Sequence, residues 1–101
     1  MFMEELRKRL NEDMADVNWN DIKPHAQRDA VIVVHENLNL LDVGVAIAQD
    51  DKMVVEHWIT EQLISKPSNQ QLSDWNINPT QLFKTLIVQP FVLVQRLGRR
   101  E

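Results

Sequence analysis

A chain of 101 residues supports one domain and leaves no room for two independent cores, and 44% hydrophobic with 26% charged residues is an ordinary folded composition. The absence of cysteine removes disulfides, thiolate catalysis and cysteine-based zinc sites together. A net charge of -4 weighs against a nucleic-acid partner without removing it, because a local basic patch could still serve; no apolar run approaches the roughly 20 residues that span a bilayer.

Phe2, Leu6, Leu10 and Met14 recur at helical spacing and predict an N-terminal helix within residues 1–15. Glu4 with Lys8, and Glu5 with Arg9, are i,i+4 pairs in the favourable orientation. The early pair Glu4-Glu5 stands where a secretory signal would need its apolar segment, so the expected address is the cytoplasm. Residues 19–97 are expected to form the core of the domain and 98–101 a frayed basic tail.

Residues 16–20 carry turn chemistry around Val17 and Trp19, and Pro24 suits the first turn of a new helix. The run that follows is ambiguous. Its β-branched residues Val31, Ile32, Val33 and Val34 favour a strand. Yet Ile22, Ala26, Ala30 and Val33 or Val34 keep helical spacing, and the helical reading is preferred.

Asn37 and Asn39 mark a turn, with a short strand expected over 38–40. Leu41, Val45 and Ala48 then share one helical face, where Gly44 permits close approach of a neighbour. A second helix is expected to begin near Asp51, which can cap it, with Val54, Val55, Trp58, Ile59 and Gln62 on its inner side. Residues 63–66 turn extended and Pro67 ends them. Residues 68–81 are polar, with short helical turns expected at Ser73 or at Asn78-Pro79. Residues 83–94 read as a strand apolar on both faces and broken by Pro90, a pattern that needs cover on both sides, such as a symmetry mate would supply.

In this order the elements resemble a winged helix-turn-helix. The predicted fold class is α+β: one small domain, a winged-helix-like helical trio, a small antiparallel sheet and an N-terminal helix. Several clusters also resemble a bacterial family of about this length, classed as a domain of unknown function, number 2288. They are His25 with Arg28-Asp29-Ala30, Leu38-x-Leu40, Val43-Gly44-x-Ala46-x-Ala48-x-Asp50-Asp51, Val55-x-x-Trp58-Ile59, Lys66-Pro67-Ser68 and the run from Ile87 to Leu93. The resemblance implies a bacterial origin and carries no activity, substrate or catalytic residue with it.

Candidate sites follow from residue chemistry. A DNA-reading helix presents Arg, Lys, Asn or Gln to bases and phosphates. The second helix of the central pair offers Lys52, Glu56, His57, Thr60 and Glu61 instead, and Asp50 and Asp51 stand where it would enter the groove. Asp50 and Asp51 can be read as a general base or cation ligand, or as a capped helix junction, and capping needs less. His25, Arg28 and Asp29 fall on one helical face and could hold a small anion or form an ion pair. His25, His35 and His57 lack the spacing of a metal site, so no metal and no cofactor is expected. Trp19, Trp75 and Phe91 are candidate interface residues. The preferred reading is a non-enzymatic protein that binds another protein, first of all a second copy of itself. A DNA-binding regulator is the alternative, and a small enzyme or ligand-binding domain using His25, Arg28 and Asp29 the second.

Overall fold

The computed structural model describes residues 2–97, apart from the side chains of Phe2 and Met3. In chain order it contains α1 (Phe2–Asp13), β1 (Ala15–Asn18), α2 (Trp19–Gln27), β2 (Val31–Val34), α3 (Leu40–Ala48), α4 (Lys52–Thr60), β3 (Ile64–Ser65), α5 (Asn69–Ile77), β4 (Leu82–Val88) and β5 (Phe91–Arg96). The strands form one sheet in the order β1-β4-β5-β2-β3. Three of its four pairings are antiparallel; β2 and β5 run parallel, with Val31 opposite Val92. The domain is α+β, and its sheet is mixed where an antiparallel one was expected. The tail expected to fray, 98–101, lies outside the described residues.

The helical reading of Val31–Val34 is overturned, and with it the expected helical trio. The helical spacing of Ile22 and Ala26 belongs to α2, which stops short of the valines. Asp29 adopts a left-handed backbone, φ 61°, and the Ala30 N–H donates to the His25 carbonyl at 3.0 Å. Together with the Asp29 N–H to Ala26 carbonyl bond at 2.9 Å, this is a Schellman stop. Beyond it the stiff β-branched side chains suit a pleat better than a helix.

The sheet is apolar on both faces because helices cover both. Leu10 of α1 and Leu40, Val43 and Val45 of α3 pack over Val34, Ile64, Leu86, Val88 and Leu93. On the opposite face, Trp19 and Ile22 of α2 and Trp75 of α5 pack over Val31, Phe83, Val92 and Val94. Alternate residues of each strand thus enter different clusters, which is the period of two expected of a pleat. Each such side chain contributes roughly 1.5–3 kcal/mol by leaving water. The single strand expected over 83–94 is a hairpin, β4 turning through Gln89-Pro90 into β5. Helices of the same chain pack on both of its faces.

Local chemistry sets the helix starts. Asn18 caps α2 by accepting from the Asp21 N–H at 3.0 Å, so the helix begins before Pro24, which falls in its second turn. Asn39 caps α3 in the same way, replacing the strand expected at 38–40. Ser68 and Gln71 form a reciprocal capping box at α5, so one nine-residue helix replaces the expected short turns.

Gly44 is buried in α3 against β4. A Cβ there would overlap Leu86 Cδ2 and touch Val88 Cγ2 at 3.6 Å, so the close approach anticipated from the glycine is real. At the other end of the β2–α3 connection, the buried Gln95 donates through Nε2 to the carbonyls of His35 at 3.0 Å and Leu38 at 2.7 Å. This one amide holds the turn that delivers α3 to the sheet.

Candidate functional site

The helix α4 is packed differently from its neighbours. Val54, Val55, Trp58 and Ile59 make an apolar side at helical spacing, yet none of the nine residues of α4 is buried. Ile59 is 55% exposed and Met53 84%. Asp51 caps the helix, its carboxylate accepting from the Val54 N–H at 3.4 Å. Asp50 takes a left-handed backbone, φ 57°, as the stop of α3, with bonds from the Asp50 N–H to Ile47 and the Asp51 N–H to Ala46. These two residues therefore form the junction at which α4 leaves α3.

Beside that junction lies a groove of about 640 Å³ between α4, the end of α3, the edge strand β3 and the β4–β5 turn. Ile32, Ile47, Val55, Ile59, Ile64 and Phe91 supply its apolar walls. Its polar rim holds Asp50, Asp51, Glu56, Lys52, Lys66, Ser65 and Gln89. A cavity of this volume, apolar with a few polar groups around it, has the proportions of a ligand site. Lys66 is ion-paired with Asp29 at the exposed edge of the groove. The lining holds three carboxylates, Asp50, Asp51 and Glu56, against two lysines, Lys52 and Lys66, with the Asp51 carboxylate engaged as the cap of α4. The groove favours an apolar body carrying positive charge.

The structure brings three of the sequence-derived candidates together here: Asp50, Asp51 and Phe91. Asp29 reaches the groove only through Lys66. His25 and Arg28 bond each other at the exposed end of α2, with Asp29 turned toward Lys66, so the three do not converge on one point. His57 is exposed on α4 and does not line the groove.

Trp19 and Trp75 are core residues and not interface anchors. They are 1% and 6% exposed, with ring centroids 5.0 Å apart, and Trp75 meets Phe83 edge-on at 4.9 Å. Trp19 Nε1 donates to Asn76 Oδ1 at 2.9 Å, which satisfies its polar handle inside the protein. Ile59, Ile64 and Lys66 were not singled out as site residues. Only the broad apolar side of α4, too wide for the cover this chain gives it, pointed toward them.

Among the described residues, no three His, Asp or Glu side chains are grouped to hold a metal ion. No described helix is long and apolar enough to cross a membrane. Fold and site together define a small α+β domain with an open, acid-rimmed apolar groove.

The chain belongs to the family described as Protein of unknown function (DUF2288), which matches residues 5–96. Its fold is similar to the solution NMR structure of PA1075 from Pseudomonas aeruginosa, with a TM-score of 0.81 and 25% sequence identity over 96% of this chain and 89% of that one. No curated protein matches the chain.

Proposed function

We propose that this domain is a non-enzymatic, cytoplasmic protein-interaction module that holds an apolar, positively charged segment of a partner protein in the groove beside α4. The observation that carries this reading is the half-buried apolar side of α4, with Ile59 more than half exposed, beside an apolar groove. A helix this short is marginal alone and gains its stability from packing. A partner would complete that packing. The rim supports a basic partner, since Asp50, Asp51 and Glu56 face it. The same carboxylates would meet phosphates if α4 lay in a DNA groove, so the DNA-binding alternative is the weaker one. The lack of cysteine accords with a reducing compartment.

The test is selection of displayed random peptides on the immobilised chain, followed by affinity measurements on wild type and Ile59→Glu. Ile59 is more than half exposed, so the variant is expected to fold normally. Selected peptides should lose at least about tenfold in affinity on the variant, the effect of about 1.4 kcal/mol. Peptides that bind both proteins equally, or a selection that enriches nothing, would refute the reading.

A further inference from the structure

The outer side of α4 carries an apolar residue and two opposite charges in one row. Lys52, Glu56 and Ile59 follow one another at steps of four and three residues, so they stand in line along the helix. All three line the groove and all three are exposed. Met53, three residues before Glu56, adds apolar surface beside the row and is more exposed still.

The two charges have no partner within the chain. Among the described residues the ion pairs are Arg7 with Asp42 and Lys66 with Asp29, and neither the Lys52 nor the Glu56 side chain makes a hydrogen bond or an ion pair. Their order accounts for this. A lysine four residues before a glutamate is the weaker arrangement of an i,i+4 pair, because the cation then stands toward the positive end of the helix dipole.

The same order is favourable between two helices. A row with a cation at one end and an anion beyond it is its own complement when a second copy is turned end for end, and self-complementarity is what a two-fold interface requires. In an antiparallel pair about an axis beside residues 55 and 56, Lys52 of each copy comes opposite Ile59 of the other. Its ammonium then lies three residues, about 4.5 Å along the helix, from Glu56 of that copy. Its aliphatic stem covers Ile59. Symmetry makes each of these contacts twice.

Resting on the interaction reading above, we propose that the partner is a second copy of this chain and that the segment it presents is α4. Two α4 helices pair antiparallel across a two-fold axis, each lying across the mouth of the other's groove. Lys52 of each copy meets Glu56 of the other, and Ile59 of each is covered by the opposite Lys52 stem. The exposed side of a short helix is thereby packed in both copies at once.

The test is sedimentation equilibrium of the full chain from low micromolar to millimolar concentration. Wild type should dimerise and Ile59→Glu should remain monomeric. Lys52→Glu and Glu56→Lys should each weaken the dimer at least about tenfold, since each turns two attractions into two repulsions. Mixed in equal amounts, these two weakened variants should associate with each other at near wild-type strength, because every facing pair is then unlike. The double variant Lys52→Glu with Glu56→Lys should dimerise like wild type. All these positions are exposed, so circular dichroism should show one fold throughout. A wild type that stays monomeric at the highest concentration, or charge variants that do not complement each other in the mixture, would overturn the proposal. Selected peptides that still lose affinity on Ile59→Glu would then leave the interaction reading standing with a foreign occupant, and peptides indifferent to it would remove both. A dimer indifferent to Ile59→Glu and to both charge variants would put the two-fold elsewhere on the chain and overturn α4 as the contact.

Discussion

Replacing Gln95 tests how the domain holds α3 on the sheet. Both Nε2 hydrogens are committed, to His35 and Leu38 carbonyls at 3.0 and 2.7 Å, and the residue is 8% exposed. Gln95→Glu keeps the shape and reverses the chemistry. An ionised carboxylate accepts only, and here it would face two carbonyl oxygens in a dry site. Burial and the lost donor raise its folded pKa above the ordinary Glu value of about 4.3. Lys84, opposite in the register and exposed, offsets part of this, so the rise is about 2 pH units, below the 3–5 of full burial. Two units correspond to about 3 kcal/mol. The folded state then binds the extra proton, so the variant's deficit is smallest below about pH 4 and grows as pH rises through the folded pKa. At pH 8 the two losses add to about 4 kcal/mol and its Tm should lie about 16–32 °C below wild type, and near pH 4 the gap should shrink to the loss of one hydrogen bond, about 4–8 °C. Gln95→Leu should lose about 2 kcal/mol with no pH dependence of the difference. Thermal unfolding followed by circular dichroism between pH 4 and 8 measures all three proteins. A Gln95→Glu deficit that does not change over this range would refute the reasoning.

Other substitutions test separate elements. Gly44→Ala would gain about 1 kcal/mol in helix propensity but force a methyl against the fully buried Leu86, at a cost of about 1–3 kcal/mol. The net expectation is a loss of about 1 kcal/mol in urea unfolding; a more stable protein would show that α3 can move away from β4 freely. Gln62 has φ 61° as the stop of α4, with its N–H bonded to Ile59 and that of Leu63 to Trp58. Gln62→Gly relieves that conformation and should stabilise by about 0.5–1 kcal/mol after its own entropy cost; destabilisation in the same assay would count against strain there.

Much of the fold was legible where local chemistry decides it. The helix after Asp51, the close approach at Gly44 and the break at Pro90 each rest on one or two residues whose preferences are strong. The 31–34 run failed because spacing and propensity pointed in opposite directions. The deciding event was the left-handed stop at Asp29, a position where glycine is the usual signal and none is present. The same substitution of Asp or Gln for glycine ends α3 and α4, so three helix stops were hidden at once. Trp19 and Trp75 were misread because their local setting is a turn, and their burial comes from each other and from Phe83, far along the chain. The groove could not be read as such. Its walls come from β2, α3, α4, β3 and the β4–β5 turn, and only the topology assembles them.

The place of β5 in the sheet bears on when the domain can form during synthesis. It is the middle strand of five and the last made, and it joins β4 to β2 across some sixty residues of sequence. Until it emerges from the ribosome, Val31, Val33, Leu86 and the aromatic cluster have no shared surface to close upon. A nascent chain stalled before Phe91 should be as protease-sensitive as an unfolded one. The domain should therefore become resistant in a single late step rather than in stages, with its slow pairing of distant strands completed only after nearly the whole fold has been translated.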